Sequence, residues 1–288
     1  MKKRFKKIYI EITNTCNLSC NFCPRTKRKP ELMTLELFNK ILEESKSLCD
    51  EISLHIMGEP LSHPQLKDII TLSEKKDVKI NLTTNGTLIK QNSKILLNKT
   101  IRRINFSIHG IKANYSGEEQ EILLKNIIEF TKLAQEKRED MIITYRLWNI
   151  NDDSNRKITK TIEEEFNTKI EEETKKISTK VKKNLYIHYD ESFNWPNPED
   201  NIRTEKGYCH GLTRYIGILS NGTLVPCCLD NNGTIDLGNV KDNTIEEILN
   251  KKRAKDMKKG FDKRILVEDM CKKCTYIKRF EKDKDKIN

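Results

Sequence analysis

Six times in the first 190 residues a short apolar or alternating run gives way to a helical or polar stretch. The runs 7–12, 51–57, 78–83, 102–108, 141–148 and 184–189 read as strands. The segments 35–48, 64–75, 88–98 and 118–137 carry apolar residues at helical spacing. Thr34 stands where an N-cap belongs, and Leu37, Phe38, Ile41, Leu42, Leu48 and Cys49 form one stripe behind it. Cys49 continues that stripe and reads as a core thiol. In 118–137 the apolar face is read as Ile122, Leu123, Ile127, Phe130 and Leu133. Strands that alternate with helices require right-handed crossovers and a parallel sheet. The expected fold is therefore α/β, a partial (β/α)6 TIM-like barrel, with functional residues at the strand C-terminal ends.

The first strand runs into Thr-Asn-Thr-Cys-Asn-Leu-Ser-Cys-Asn-Phe-Cys-Pro-Arg, residues 13–25, which sets Cys16, Cys20 and Cys23 in a C-x3-C-x2-C array. Thiolates this close on one loop can share a metal centre. Three are one short of the four that a [4Fe–4S] cluster takes, which leaves one iron open to a small molecule. A structural zinc site wants four ligands, and neither a fourth Cys nor a His is near in the sequence.

The array resembles that of the radical S-adenosylmethionine (SAM) superfamily, in which three cysteines in this spacing hold a cluster whose open iron chelates SAM. An aromatic residue before the third cysteine is usual there, and Phe22 fills that place. Met57-Gly58-Glu59-Pro60 resembles the family's GGEP motif with Met for the first Gly. The resemblance implies that this edge meets the SAM ammonium: Glu59 offers a carbonyl or carboxylate acceptor, and Gly58 lets the backbone come close. Asn85-Gly86 is similar to the family's turn near SAM. Ser107 and Arg146 match positions that contact SAM in related enzymes, and a strand-end Arg can clamp a carboxylate. His109 and His188, also near strand ends, read either as substrate or acid/base groups or as hydrogen-bonded structural histidines. Tyr189, Asp190 and Glu191 lie near the sixth strand end, but no catalytic residue is assigned.

Nine cysteines without a secretion signal point to metal and not to disulfides. Five of them fall at 209, 227, 228, 271 and 274. Cys209 precedes a hairpin, 215–227, turned at Ser220-Asn221-Gly222. A helix at 243–257 leads on to Cys271-Lys272-Lys273-Cys274. These elements read as a small α+β module in which Cys209, Cys227, Cys271 and Cys274 converge. The layout resembles the SPASM/twitch extensions of radical SAM enzymes. With five cysteines and none after Cys274, it implies a single auxiliary [4Fe–4S] cluster, the twitch form. Cys228 is an alternative to Cys227, and four cysteines with a terminal CxxC also suit a zinc ribbon. The expected domains are a core barrel over 1–190, a linker at 191–204, the auxiliary module at 205–277 and a charged tail at 278–288. The Lys- and Glu-rich stretch 150–183 reads as a solvated helix with a thin stripe of Ile158, Ile162, Phe166, Ile170 and Ile177.

The formal charge is +11, but 41 of the 54 basic residues are lysines spread among acids, which reads as compositional bias more than as a nucleic-acid surface. The basic start is followed by a short apolar run broken by Glu11, unlike a signal peptide. With no transmembrane run, the expected setting is cytoplasmic. The resemblance implies reductive cleavage of SAM and hydrogen abstraction by a 5′-deoxyadenosyl radical. The electron would come from a donor such as flavodoxin or ferredoxin. A single auxiliary cluster favours oxidation of a small molecule. Radical modification of a peptide is the alternative, against which stands the short stretch before Cys16. A metal-cluster protein binding nucleic acid is the non-catalytic alternative.

Overall fold

Lys7–Ile10 opens the chain's regular structure as β1, its alternating side chains buried at Ile8 and Ile10. There follow α1 (Leu35–Leu48), β2 (Glu51–Ser53), α2 (Leu66–Lys75), β3 (Lys79–Thr84), α3 (Ile89–Leu96), β4 (Ile101–Ser107), α4 (Ile108–Asn114) and α5 (Gly117–Lys137). Next come β5 (Ile142–Trp148), α6 (Asp153–Phe166), β6 (Ser178–Lys182), β7 (Leu185–Asp190), β8 (Tyr215–Ile218) and β9 (Leu224–Val225). The chain closes with α7 (Ile245–Asn250), α8 (Lys252–Asp262), α9 (Asp269–Lys273) and α10 (Lys278–Glu281). This is a computed structural model, and it describes residues 3–148, 153–170, 178–190 and 193–281. The fold is the expected α/β type, a partial barrel of mainly parallel strands with a C-terminal module. Two compact units make it up: Met1–Thr15 with Pro24–Gly58 and Phe193–Asn288, and Cys16–Cys23 with Glu59–Ser192. Among the described residues no helix is long and apolar enough to cross a membrane.

In the first unit the strand order is β2-β1-β8-β9. β1 runs parallel to both neighbours, with Ile8 opposite Ile52 on one side and Ile216 on the other, and β9 pairs antiparallel with β8. The first strand of the C-terminal hairpin is thus a direct partner of β1. α1 packs the expected stripe, with Leu37, Phe38, Ile41, Leu42, Leu48 and Cys49 all buried. Its start is fixed by the Thr34 hydroxyl, which accepts from the Leu37 N–H at 3.2 Å. Burial pushes the Cys49 thiol up to about 12, as a core thiol requires.

One buried carboxylate organises this unit. Glu11, directly after β1, is fully buried. Arg28 Nη2 donates to both its oxygens at 2.6 and 2.7 Å. The Ser220 N–H and hydroxyl donate at 3.1 and 3.0 Å, and the Met57 N–H at 3.3 Å. Arg28 Nε in turn donates to the Asn231 carbonyl at 2.9 Å.

In the second unit β3, β4, β5 and β7 run parallel, and β6 closes the edge antiparallel to β7. Alternation gives the sheet two unlike faces. Phe106 and Tyr145 are on the apolar face, which packs on α5. The Phe106 ring lies 6.1 Å from Phe130, and the Tyr145 hydroxyl donates to Thr131 Oγ1 at 2.6 Å. The opposite face is polar. Ser107, Arg146 and His188 form one cross-strand row, and Asn105, Thr144 and Tyr186 the row before it.

Two expectations need correction. The buried face of α5 is Leu124, Ile127, Ile128, Phe130, Thr131 and Ala134, whereas Ile122 is 49% exposed. Thr131 and Ala134 are small enough to sit against the sheet, so counting only bulky residues rotated the stripe. The stretch 150–183 is not one helix. α6 ends at Phe166, and Ser-Thr-Lys-Val-Lys pairs as β6, where β-branched residues suit a pleated edge. Ile158, Ile162, Phe166 and Ile170 are buried. Ile177, Glu191 and the tail after 281 lie outside the described residues.

Arg28→Ala leaves the Glu11 charge buried without its guanidinium, and is expected to cost about 3–5 kcal/mol. Denaturant unfolding checks this. The double variant Glu11→Gln/Arg28→Met should lose less than Arg28→Ala alone, because no uncompensated charge remains.

Candidate metal centres

Cys16, Cys20 and Cys23 follow β1 on one loop. Cys16 is exposed and the other two half-buried, and all nine cysteines of the chain are free thiols. The loop is fixed by side chains from the ends of neighbouring elements. Asn114, last residue of α4, donates to the Cys20 sulfur at 3.0 Å, and its oxygen accepts from the Ser19 N–H at 3.0 Å. Asn85, after β3, donates to Asn17 Oδ1 at 2.9 Å, while Asn17 donates to Thr87 Oγ1 at 2.8 Å. The Leu18 N–H points at the Cys16 sulfur at 3.4 Å. Although Cys16 is exposed as a residue, the surrounding loop desolvates its sulfur enough to raise the thiol above its ordinary value; the Leu18 N–H opposes this, and Glu59, Cys20 and Cys23 add to the rise. Bound iron would reverse that balance, since a coordinating thiol is deprotonated outright.

Glu59 is nearly fully buried and its carboxylate is already engaged. It accepts from Thr84 Oγ1 at 2.7 Å, the Asn85 N–H at 2.7 Å and the Leu61 N–H at 2.9 Å. Burial raises it to about 7 despite these donors. Asn85 is therefore oriented through Glu59. Gly58 has φ +76°, and a Cβ there would stand 2.4 Å from the Thr13 carbonyl oxygen, so only glycine fits.

Phe22 packs at 4.6 Å on Trp148 and 5.2 Å on His109, whose ring stacks on Trp148 at 4.2 Å and 9°. His109 Nδ1 lies 3.0 Å from the Arg146 carbonyl, so the neutral ring carries its proton there. Burial lowers its pKa to about 3, with the Arg146 charge working in the same direction. His109 is thus a neutral, oriented ring at ordinary pH. Ser107 and Arg146 stand opposite each other in the row that His188 completes, and Asp190 lies opposite Trp148. Asn17, Thr87, Asn114 and Trp148 were not legible in the sequence, since an Asn at a helix end or a Trp on a strand carries no signature of the loop that it meets.

In the first unit the C-terminal thiols come together. Burial pushes Cys209 up to about 12, with Cys274 and Cys228 adding to it. Cys227 is driven well above the thiol range by burial, then by Cys209, Cys228 and Cys271. Cys271 rises through burial, Cys209 and Cys274. The Gly211 N–H donates to the Cys209 sulfur at 3.3 Å. The CxxC is turned by α9, with the Cys274 N–H on the Cys271 carbonyl at 3.2 Å. Tyr215, also raised by burial and by these thiols, lies beside them. Four or five crowded thiols raise one another until a cationic centre offsets them. Among the described residues no three ligand side chains close on a single ion. A four-iron cluster would be held by four of these cysteines, one on each iron.

The model of the radical SAM superfamily matches residues 10–164, and that of the SPASM iron–sulfur cluster-binding domain matches residues 209–275. The chain is 33% identical over 88 residues to the tungsten-containing aldehyde ferredoxin oxidoreductase cofactor-modifying protein of Pyrococcus furiosus, covering 29% of this chain and 25% of that protein. It is 34% identical over 119 residues to GTP 3′,8-cyclase of Aquifex aeolicus, covering 38% and 37%. Matches to these relatives thus span well under half their length. The crystal structure of BtrN in complex with AdoMet and 2-DOIA superposes with a TM-score of 0.60 at 17% identity, over 96% of this chain and 94% of that one.

With a folded pKa of about 3 against 6.5, the unfolded state binds a proton at His109 that the native state refuses. The His109 contribution to stability therefore falls as pH drops through 6.5, by about 1.4 kcal/mol between pH 7.5 and 5.5. Glu59, raised to about 7, works in the opposite direction over the same range, so the check is the difference between proteins: denaturant unfolding at the two values should show His109→Phe gaining about 1.4 kcal/mol on the wild type as pH drops from 7.5 to 5.5.

Proposed function

The chain belongs to the radical SAM superfamily, and on that premise we propose that it oxidises a small polar molecule by hydrogen abstraction, using one auxiliary [4Fe–4S] cluster. The observation that carries this reading is the Cys16–Cys20–Cys23 loop held by Asn85 and Asn114 in the unit that also carries Ser107 and Arg146. Cys16, Cys20 and Cys23 would hold the first cluster, and Cys209, Cys227, Cys271 and Cys274 the second, with Cys228 beside them. When bound, the first cluster and SAM supply the electron and the hydrogen-abstracting radical. Asn114 and the Leu18 N–H direct hydrogen bonds at the ligand sulfurs, which stabilise thiolate and tune its potential. Arg146 would offer its guanidinium to the SAM carboxylate, and Ser107 its hydroxyl to the same ligand. Phe22 presents a flat apolar wall braced by Trp148 and His109, which keeps water from the reacting centre. Gly58, with no side chain, would let the backbone approach the SAM ammonium closely. An acidic flavodoxin or ferredoxin is the proposed electron donor, in the cytoplasm.

Anaerobic reconstitution tests this. About eight irons per chain are expected from two four-iron clusters, and 5′-deoxyadenosine should form with SAM and dithionite. Cys16→Ala/Cys20→Ala/Cys23→Ala should lose about half the iron and all cleavage. Cys271→Ala/Cys274→Ala should lose the other half and retain cleavage. Zinc in place of iron, or no 5′-deoxyadenosine from the loaded wild type, overturns the reading.

A further inference from the structure

The polar face of the second unit continues well beyond the row of Ser107, Arg146 and His188. Two and four residues earlier on β4 stand Asn105 and Arg103, about 7 and 13 Å from Ser107 at the usual strand rise. Here the sheet face opens into a cavity of about 200 Å³ lined by Arg103, Asn105, Thr144, Ser178, Tyr186 and His188, with Ile142 at one side. β6 matters to it: Ser178 reaches the cavity because that strand folds back antiparallel, with Ser178 opposite His188.

Arg103 is the uncommon member. A guanidinium carries five donors in a rigid fork and stays charged. Arg103 is half-buried, and its hydrogen bond is to the neutral Thr144 hydroxyl at 3.3 Å. Among the described residues it makes no ion pair, and the lining includes no carboxylate. Burial and the neighbouring Arg102 both lower its pKa, so the site works against its charge. A half-buried guanidinium whose hydrogen-bond partner is a neutral hydroxyl has donors left over, and a bound oxyanion would take them. The Thr144 bond meanwhile holds the fork in place, and hydroxyls from Ser178 and Tyr186 offer further donors.

We propose that this cavity is an oxyanion subsite, in which Arg103 receives a carboxylate or phosphate carried by the substrate. The inference rests on the radical SAM reading for the word substrate, and deepens it by naming the substrate's chemical class: a small molecule bearing an anionic group about two to four residues' rise from the Arg146 row. Arg103 binds and orients that group.

The test uses the cluster-loaded, SAM-bound protein in low-salt buffer, titrated calorimetrically with inorganic phosphate and, separately, with succinate. Saturable binding of at least one is expected, weakened tenfold or more in Arg103→Gln and several-fold in Thr144→Val, with Arg103→Lys falling between wild type and Arg103→Gln. Phosphate alone binding assigns a phosphorylated substrate, and succinate alone a carboxylate. Iron content and circular dichroism report folding. If Arg103→Gln does not fold, Arg103→Lys and Thr144→Val carry the comparison. No saturable binding to the wild type, or equal binding to wild type and to every folded variant, overturns the subsite. Wild-type 5′-deoxyadenosine formation is scored in parallel, so cleavage without anion binding sinks only the subsite, and absent cleavage sinks the enzyme reading instead.

Discussion

The first unit depends on a charge pair whose carboxylate is placed where water cannot reach it. Glu11 follows β1 directly, and its two carboxylate oxygens accept from Arg28, from the Met57 N–H and from Ser220. Those partners lie 17, 46 and 209 residues away in the chain. A buried ion pair is weak evidence for net stability, because desolvation offsets much of the attraction. What it supplies here is geometry. A carboxylate with donors from three segments admits one arrangement of them, and any other leaves a buried charge unmatched. Arg28 extends the arrangement to the Asn231 carbonyl, while the Asn231 side chain donates to the Arg25 carbonyl at 2.8 Å. The chain on both sides of the Cys16–Cys23 segment is thereby fixed, before any metal is considered.

The second unit reaches order by another route. Its helix-facing side is apolar and needs no specific partners. Its other side carries Arg103, Asn105, Ser107, Thr144, Arg146, Tyr186 and His188 on three registered strands. A sheet face with that many polar groups is expensive as mere core. The register sets which of these groups share a row.

Much of this was legible in the sequence, for identifiable reasons. Strand and helix periods are local, so every parallel strand before residue 190 and four of the helices fell where the pattern put them. The cysteine spacing is local as well. The pairing of β1 with β8 was not legible, because nothing in Lys-Ile-Tyr-Ile marks a partner two hundred residues on. Glu11 read only as a charge interrupting an apolar run, since its meaning depends on Arg28 and Ser220 arriving beside it. β6 was lost in a lysine- and glutamate-rich stretch whose composition speaks for solvent more loudly than Thr and Val speak for a strand. The polar sheet face was visible as alternation in Arg-Ile-Asn-Phe-Ser, but alternation alone does not say which side faces a ligand.

Glu59 shows what a side chain does for the turn beyond its own strand. It follows β2, and its buried carboxylate accepts from Thr84, Asn85 and Leu61. Three donors to two oxygens nearly exhaust what a carboxylate can accept in so confined a place. The carbonyl is engaged too, with the Ser62 hydroxyl at 2.7 Å. The force of the residue is therefore exerted through the Asn85 main chain, which sets the side chain that reaches Asn17 on the cysteine loop. A short side chain at position 59 would free the turn after β3, and with it one of the two asparagines that hold the thiols. At the neighbouring position 58 the absence of a side chain lets the Thr13 and Thr15 carbonyls come close.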